Sequence, residues 1–159
     1  MQSLKCCQIH KSLIINAYVI MSSHIHIIAS AKEDSDGISA IIRDFKKFTS
    51  KRLIDFVLND NKESRRDWLK VVFEYHAKHY KRNTNYQTWK QNNHPKILLH
   101  PNFINQKINY IHNNPVVSQI VEKPEDYLYS SARNYLDFEN PIVDVDCIDF
   151  GSIEGCVPL

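Results

Sequence analysis

Tyr18-Val-Ile-Met-Ser-Ser-His-Ile-His-Ile-Ile-Ala29 is the stretch on which the reading of this chain turns. Its flanks are β-branched and apolar, which predicts a strand over 13–21, a turn at Ser22-Ser23 and a return strand over 24–30. A two-residue hairpin turn prefers Asn-Gly chemistry with positive φ, and Ser-Ser lacks it. Side chains alternate along a strand, so His24 and His26 fall on one face. Two imidazoles side by side in an apolar strand are a candidate metal pair. Taken alone, such a pair is more often two half-buried histidines.

Outward from the hairpin, the pattern is helical. Residues 1–11 are polar and mixed, and read as a first helix. After an acidic loop ending at Gly37, Ile38, Ile41, Ile42, Phe45, Phe48, Leu53 and Phe56 recur at helical spacing and predict a helix over 38–58. Another face of that helix carries Arg43, Lys47 and Lys51 at i, i+4 and i+8, with Lys46 and Arg52 beside them. Such a stripe is either a solvated surface or a phosphate-binding face. A second amphipathic helix is expected over 67–80, with Trp68, Val71, Val72 and Tyr75 inward. Lys78, Lys81 and Arg82 alternate with His79 and Tyr80 at its end, and a strand is expected over 85–91. Basic residues beside aromatic ones suit single-stranded nucleic acid, although the same rings also serve as core. A third helix is expected over 102–114, ended by Pro115. Ile104, Ile108 and Ile111 make its core stripe, and Gln106, Tyr110 and Asn114 share another face. A turn at Pro124, a short helix over 130–136 and an acidic, β-like tail around 142–145 complete the pattern.

Length and composition set bounds. The 159 residues predict one main domain, taken as residues 1–137, followed by a tail over 138–159. No apolar run approaches the roughly 20 residues of a membrane span, and no secretory signal is visible, so a cytoplasmic protein with no membrane partner is expected. Cys6, Cys7, Cys147 and Cys156 form no C-x-x-C pair, and reduced thiols are expected. A net charge of +2 makes the placement of charge more informative than its sum.

Tyr110 is the second chemical candidate. A tyrosine hydroxyl can attack a phosphodiester and hold the product as a phosphotyrosine ester. It is a weak nucleophile unaided, and a cation beside the scissile phosphate assists it. Two histidines plus an amide oxygen from Asn114, one turn after Tyr110, form a mixed N/O site that suits Mg²⁺ or Mn²⁺. The chain has eight tyrosines, and Tyr135, near Arg133, is a rival nucleophile.

Several blocks carry a family resemblance. The histidine hairpin resembles the His-hydrophobic-His (HUH) motif of single-tyrosine transposases. Asp44-Phe-Lys-Lys-Phe-Thr-Ser50, Tyr110-Ile-His-Asn-Asn-Pro-Val116 and Val121-Glu-Lys-Pro-Glu-Asp-Tyr-Leu-Tyr-Ser-Ser-Ala-Arg-Asn-Tyr135 follow in the order of the REP-associated tyrosine transposases, the transposase 17 family. The resemblance covers residues 5–137. It implies an α+β, ferredoxin-like (RRM-like) antiparallel sheet packed with helices. It further implies metal ligands at His24, His26 and Asn114, a nucleophile at Tyr110, and a divalent cation, Mg²⁺ or Mn²⁺. The implied activity is cleavage and rejoining of single-stranded DNA at hairpins through a 5′-phosphotyrosine, by a nucleoid-associated monomer or homodimer. Arg43, Lys46, Lys47 and Lys51 become a DNA face. Ser23 stands where relatives place Asn. Family members carry a strand and most of a helix ahead of the point where Met1 falls, so an N-terminally truncated member lacking the first strand of the sheet is expected. A DNA-binding relic without catalysis is the alternative. A sequence-tolerant RNA-binding module is a third reading that leaves the H-x-H unexplained, and no second H-x-S/T motif supports a two-histidine phosphoesterase.

Overall fold

The computed structural model describes residues 1–60, 63–78, 85–91, 93–139 and 141–150. The basic and aromatic residues 79–82 and Cys156 lie outside that set. The fold is α+β, with a two-stranded antiparallel sheet and four α-helices. In chain order these are α1 (Gln2–Lys11), β1 (Leu13–Ile20), β2 (Ile25–Ala31), α2 (Ile38–Asn59), α3 (Arg66–Lys78) and α4 (Pro101–Val117), followed by 3-10 turns at Pro124–Asp126 and Ala132–Leu136. No helix among the described residues is long and apolar enough to cross a membrane, and Cys6, Cys7 and Cys147 form no disulfide. The chain divides into two compact units. One joins Met1–Ile38 to the chain from Lys96 onward, and the other is Ser39–Pro95.

In the first unit the hairpin forms as its β-branched flanks predict. The return strand begins at Ile25, so His24 belongs to the turn. Ser22 and Ser23 sit at the tip, where the Met21 N–H donates to the His24 carbonyl at 2.9 Å. Neither serine takes positive φ, as expected of residues whose Cβ disfavours the left-handed region. Asn16 is a bulge. Ile15 pairs with Ala29 and Ala17 with Ile28, which sets Val19 opposite His26 and Ile20 opposite Ile25. Directly opposed residues share a face of the sheet. His26 therefore lies on the same face as Val19, the face that packs against α4.

The core on that face is Ala17, Val19 and Met21 from β1 with Ile108 and Ile111 from α4, flanked by Ile28, Ile104 and Tyr135. The isoleucine stripe of α4 is thus inward as its 3.6-residue period requires. α1 contributes Leu4 and Cys7, both buried, and ends at Ser12, whose left-handed backbone (φ 57°) lets its N–H cap Cys7.

Pro115 does not end α4. The helix runs on to Val117 with Pro115 inside it. Proline removes one N–H and disfavours helical geometry in the residue before it. Here its ring is buried, and the chain beyond is held by Ser118 N–H to Asn114 and Ile120 N–H to Pro115 at 3.0 and 2.9 Å. Burial outweighs the local preference, and Asn114 stays helical.

The outer edge of β1 is closed by irregular chain. Tyr18 and Ser131 exchange main-chain and side-chain bonds: the Ser131 N–H donates to the Tyr18 carbonyl at 2.9 Å, and the Tyr18 N–H donates to Ser131 Oγ at 2.8 Å. Ile20 N–H donates to Tyr129, and Asp146 N–H to Ile15. The tail around 142–145 is therefore not a strand. Val143 is fully buried, and Asn16 and Asn134 side chains bond the carbonyls of Asp146 and Val143. The outer edge of β2 has no strand against it among the described residues.

His112 completes this junction. It is buried, with Nε2 at 2.8 Å from Ser131 Oγ and its ring edge-on to Tyr135 at 5.1 Å. The serine has one proton to give. It goes either to the imidazole or to the Tyr18 carbonyl at 3.2 Å, and in the latter case the imidazole donates. Both arrangements satisfy every partner.

In the second unit three of the four expected inward residues of α3 are not inward, and Val72 is half-buried. Trp68, Val71 and Tyr75 are exposed, and Ala77 is the buried position of that helix. On α2, Ile41 and Val57 are buried whereas Phe48, Leu53 and Phe56 are exposed. α2 and α3 do not pack closely against each other among the described residues, so neither covers the other's apolar stripe. Residues 85–91 are not a strand. They run as irregular chain tied to α2 and α3 by side chains and by Gln87 N–H to Phe73.

Two outcomes follow for the first unit. Ser131→Ala leaves the Tyr18 N–H and the His112 ring nitrogen without their buried partner, so denaturant unfolding should show a loss of about 2 kcal/mol. A loss under ~0.5 kcal/mol contradicts the junction's importance. Burial also pushes the His112 pKa down to about 4 from the 6.5 of an exposed imidazole. Between pH 6.5 and 4 the unfolded chain holds more protons, so stability is complete above that window and falls as pH drops through it. The full loss is on the order of 3 kcal/mol. His112→Gln should flatten this acid limb, and an unchanged limb would show that His112 does not titrate as a buried group.

Candidate functional site

Side chains from three places in the sequence meet on the α4 side of the hairpin. His24 leaves the turn and His26 the first paired turn of β2, and their rings lie edge-to-face with centroids 4.9 Å apart. The same-face expectation therefore holds, although only His26 is within the strand. Tyr110 comes down from α4 onto His26, ring centroids 5.4 Å apart and again edge-to-face. The register that places His26 opposite Val19, and the packing of Ile108 and Ile111 on that face, bring the tyrosine there. Tyr110 and Ile111 are adjacent on the helix, so burying the isoleucine carries the tyrosine to the rim of the core.

Each of the three groups is in a usable state. His26 is half-buried, and its pKa is held below the ordinary imidazole value, first by burial and then by the neighbouring His24. Neutral imidazole is the form that binds a metal. His24 is exposed, and its Nδ1 meets Ser23 Oγ at 3.1 Å, which leaves Nε2 open. Ser23 thus orients the first histidine from the adjacent position. Tyr110 is 54% exposed, and its hydroxyl has no hydrogen bond among the described residues.

The rival tyrosines are committed elsewhere. The Tyr135 hydroxyl donates to the Asn16 carbonyl at 2.8 Å and accepts from the Ile148 N–H, and burial raises its pKa. Tyr127 donates to the Ile20 carbonyl, also with a raised pKa from burial. Tyr18 is buried, its phenol pushed up to about 12. Both features make deprotonation and attack harder. Of these four tyrosines, Tyr110 is the one whose hydroxyl is half-exposed and unbonded among the described residues, and its ring lies against His26.

Asn114 follows Tyr110 by one helical turn, and the two line one depression of about 250 Å³ with Gln106, Asn109, Asn113 and Val117. The face shared by Gln106, Tyr110 and Asn114 is thus realised because α4 continues through Pro115. No group of three His, Cys, Asp or Glu side chains suited to a metal occurs among the described residues. A cation held by His24 and His26 must complete its shell from an amide such as Asn114, the substrate or water. That donor set of nitrogen and neutral oxygen fits a divalent ion with open positions.

Lys107 is the residue that sequence reasoning missed. Its Nζ lies 5.7 Å from the Tyr110 ring centroid and 5.0 Å from that of Phe103, with no carboxylate paired to it among the described residues. The signal was its position three residues before Tyr110, which makes the two neighbours on a helix surface.

The basic stripe lies in the second unit. Arg43, Lys46, Lys47 and Lys51 line a groove of about 600 Å³ with residues of the 86–91 segment. Lys46 differs from the rest. It donates to the Lys90 carbonyl at 2.7 Å and lies over the Trp89 ring, and burial lowers its pKa.

Comparison with protein-family models, with curated proteins and with solved structures gives no match to the chain.

Mn²⁺ titration followed by proton NMR tests the metal pair. Paramagnetic broadening should reach the His24 and His26 ring signals first and Tyr110 next, weaken as pH falls and His26 takes up a proton, and vanish in His24→Ala. Broadening that spares both rings removes the metal assignment.

Proposed function

We propose that the chain cleaves and rejoins single-stranded DNA at hairpins by transesterification through Tyr110, as the resemblance to the REP-associated tyrosine transposases implies. The observation that carries the reading is the meeting of the His24–His26 pair, ring centroids 4.9 Å apart, with Tyr110, 84 positions beyond His26 in the sequence and 5.4 Å from its ring. The motif blocks alone require no such contact. On this reading the hairpin and α4 are the part of a ferredoxin-like fold that carries the reactive groups, and His24, His26 and Asn114 hold Mg²⁺ or Mn²⁺. When bound, the cation polarises the scissile phosphate and offsets its developing charge.

The chain's own residues do the rest. Tyr110 releases its phenolic proton to solvent, and its oxygen bonds to phosphorus. The bond from phosphorus to the 3′ oxygen breaks with its electron pair on that oxygen, which takes a proton from water. The products are a 5′-phosphotyrosine and a free 3′-OH. Because one phosphoester replaces another, the reverse attack by a 3′-OH reseals DNA without an external energy source. Lys107, beside the tyrosine ring, supplies a fixed positive charge at the phosphate. Ser23 holds the His24 ring, and the Ser131–His112 junction holds α4 on the sheet.

A second reading has one observation in its favour. The outer edge of β2 is without a strand among the described residues, and a looser sheet suits a relic that binds hairpin DNA without cutting it. The two readings separate in one assay. With Mn²⁺ and a hairpin carrying a single-stranded flank, the wild-type chain should give a covalent adduct stable to denaturing electrophoresis. Tyr110→Phe should give none, and Tyr135→Phe should retain it. Binding without any adduct supports the relic, and an adduct that survives Tyr110→Phe but not Tyr135→Phe refutes the assignment of the nucleophile.

A further inference from the structure

We propose that the groove of the second unit is a metal-independent clamp for single-stranded DNA, separate from the site at Tyr110. The proposal deepens the DNA-processing reading and rests on it for the choice of ligand. Arg43, Lys47 and Lys51 are exposed and line the groove from α2. Their spacing of four residues puts successive charges about 6 Å apart along the helix, close to the step between phosphates of a stretched single strand. Arg43 has an ion pair with Asp44 at 3.1 Å, but the arginine side chain is 72% exposed and such a pair is weak. Asp55 is the sole carboxylate lining the groove among the described residues. The excess of positive charge is therefore local, although the whole chain carries only +2.

The opposite wall is preorganised. Trp89 donates its indole N–H to Thr49 Oγ1 at 2.9 Å, lies against Phe45, and is covered by the Lys46 ammonium. Thr88 Oγ1 donates to Ser50 Oγ at 2.8 Å. These bonds, together with Lys46 to the Lys90 carbonyl, hold the 86–91 segment alongside α2. Lys46 and Trp89 thus build the wall. Tyr86 also lines the groove, half-buried, with no hydrogen bond on its hydroxyl among the described residues. Its ring is the surface on which an unpaired base can stack. A slot of about 600 Å³ takes a short stretch of backbone and a base.

Fluorescence anisotropy with labelled oligo(dT) in EDTA, using the full chain, tests this without any need for cleavage. Arg43→Gln, Lys47→Gln and Lys51→Gln combined should weaken binding at least tenfold at low salt. The slope of log K against log salt should become less steep by about 2, from three lost contacts at roughly 0.7 each. A control triple, Lys5→Gln, Lys70→Gln and Lys123→Gln, removes the same charge and should leave the slope unchanged. Tyr86→Ala should weaken binding about tenfold with the slope retained. Equal affinity and slope for the groove triple and the wild type overturn the clamp. So do equal losses in the two triples, or competition by duplex DNA as strong as by oligo(dT). Tighter binding of oligo(U) than of oligo(dT) overturns the choice of DNA. The groove stands or falls on these binding curves, whereas the cleavage reading stands or falls on the Tyr110 adduct, so either can fail alone.

Discussion

The Ser131 hydroxyl accepts the Tyr18 N–H at 2.8 Å and meets His112 Nε2 at the same distance. Tyr18 is in β1, His112 is in α4, and Ser131 opens the last 3-10 turn, so one buried hydroxyl ties together three stretches of the first unit. In a low-dielectric setting each of these polar groups is costly if left alone. The helix can settle on the sheet only in the register that satisfies them. That register puts Ile108 and Ile111 on Val19 and Ala17, and one position earlier it sets Tyr110 on His26. A slide of α4 by one residue would break the polar junction and turn the tyrosine away from the histidines. Packing supplies most of the stabilisation there; the junction selects the alignment.

The division of labour among the tyrosines follows from the same constraint. Tyr135 closes the junction from the other side, ring against His112 and hydroxyl on the Asn16 carbonyl at the bulge. The bulge leaves that carbonyl free of the ladder, and the tyrosine uses it. Tyr127 does likewise for Ile20 at the end of the strand. These phenols donate to main-chain carbonyls and are half-buried for it. Tyr110, on the opposite side of α4 from the junction, keeps its hydroxyl unbonded and half exposed. The segment from Tyr110 to Pro115 thus divides its faces along one helix: Tyr110 and Asn114 line the outer depression, and Ile111 and His112 face the protein.

Much of the first unit was legible from pattern. The hairpin, the isoleucine stripe of α4 and the shared face of Gln106, Tyr110 and Asn114 all follow from short periods of two or 3.6 residues. What local pattern could not show was long-range. Nothing near Pro115 says that its ring will be buried, so a helix end was the reasonable expectation. Nothing near Ser131 announces a partner 113 residues away in Tyr18. The β-branched run at 142–145 reads as strand, but the edge of β1 is bonded by Asp146 and Ser131 as irregular chain. In the second unit the apolar spacing of α2 and α3 reads as helix, and the helices form, but the burial that the α3 spacing suggests does not follow. Trp68, Val71 and Tyr75 have the period of a core face and are exposed. The 85–91 stretch has strand-like residues, but its Trp89 and Thr88 side chains bond to α2 in place of a ladder.

The central claim is that Tyr110 and the His24–His26 pair form one reactive site. Peptide mass mapping of the covalent adduct formed on a hairpin with a single-stranded flank tests it most directly. The account predicts a nucleotide attached through its 5′ phosphate to the peptide carrying Tyr110, with the released strand ending in a 3′-OH. Attachment to any other tyrosine, or a 3′-phosphate link at Tyr110, contradicts it.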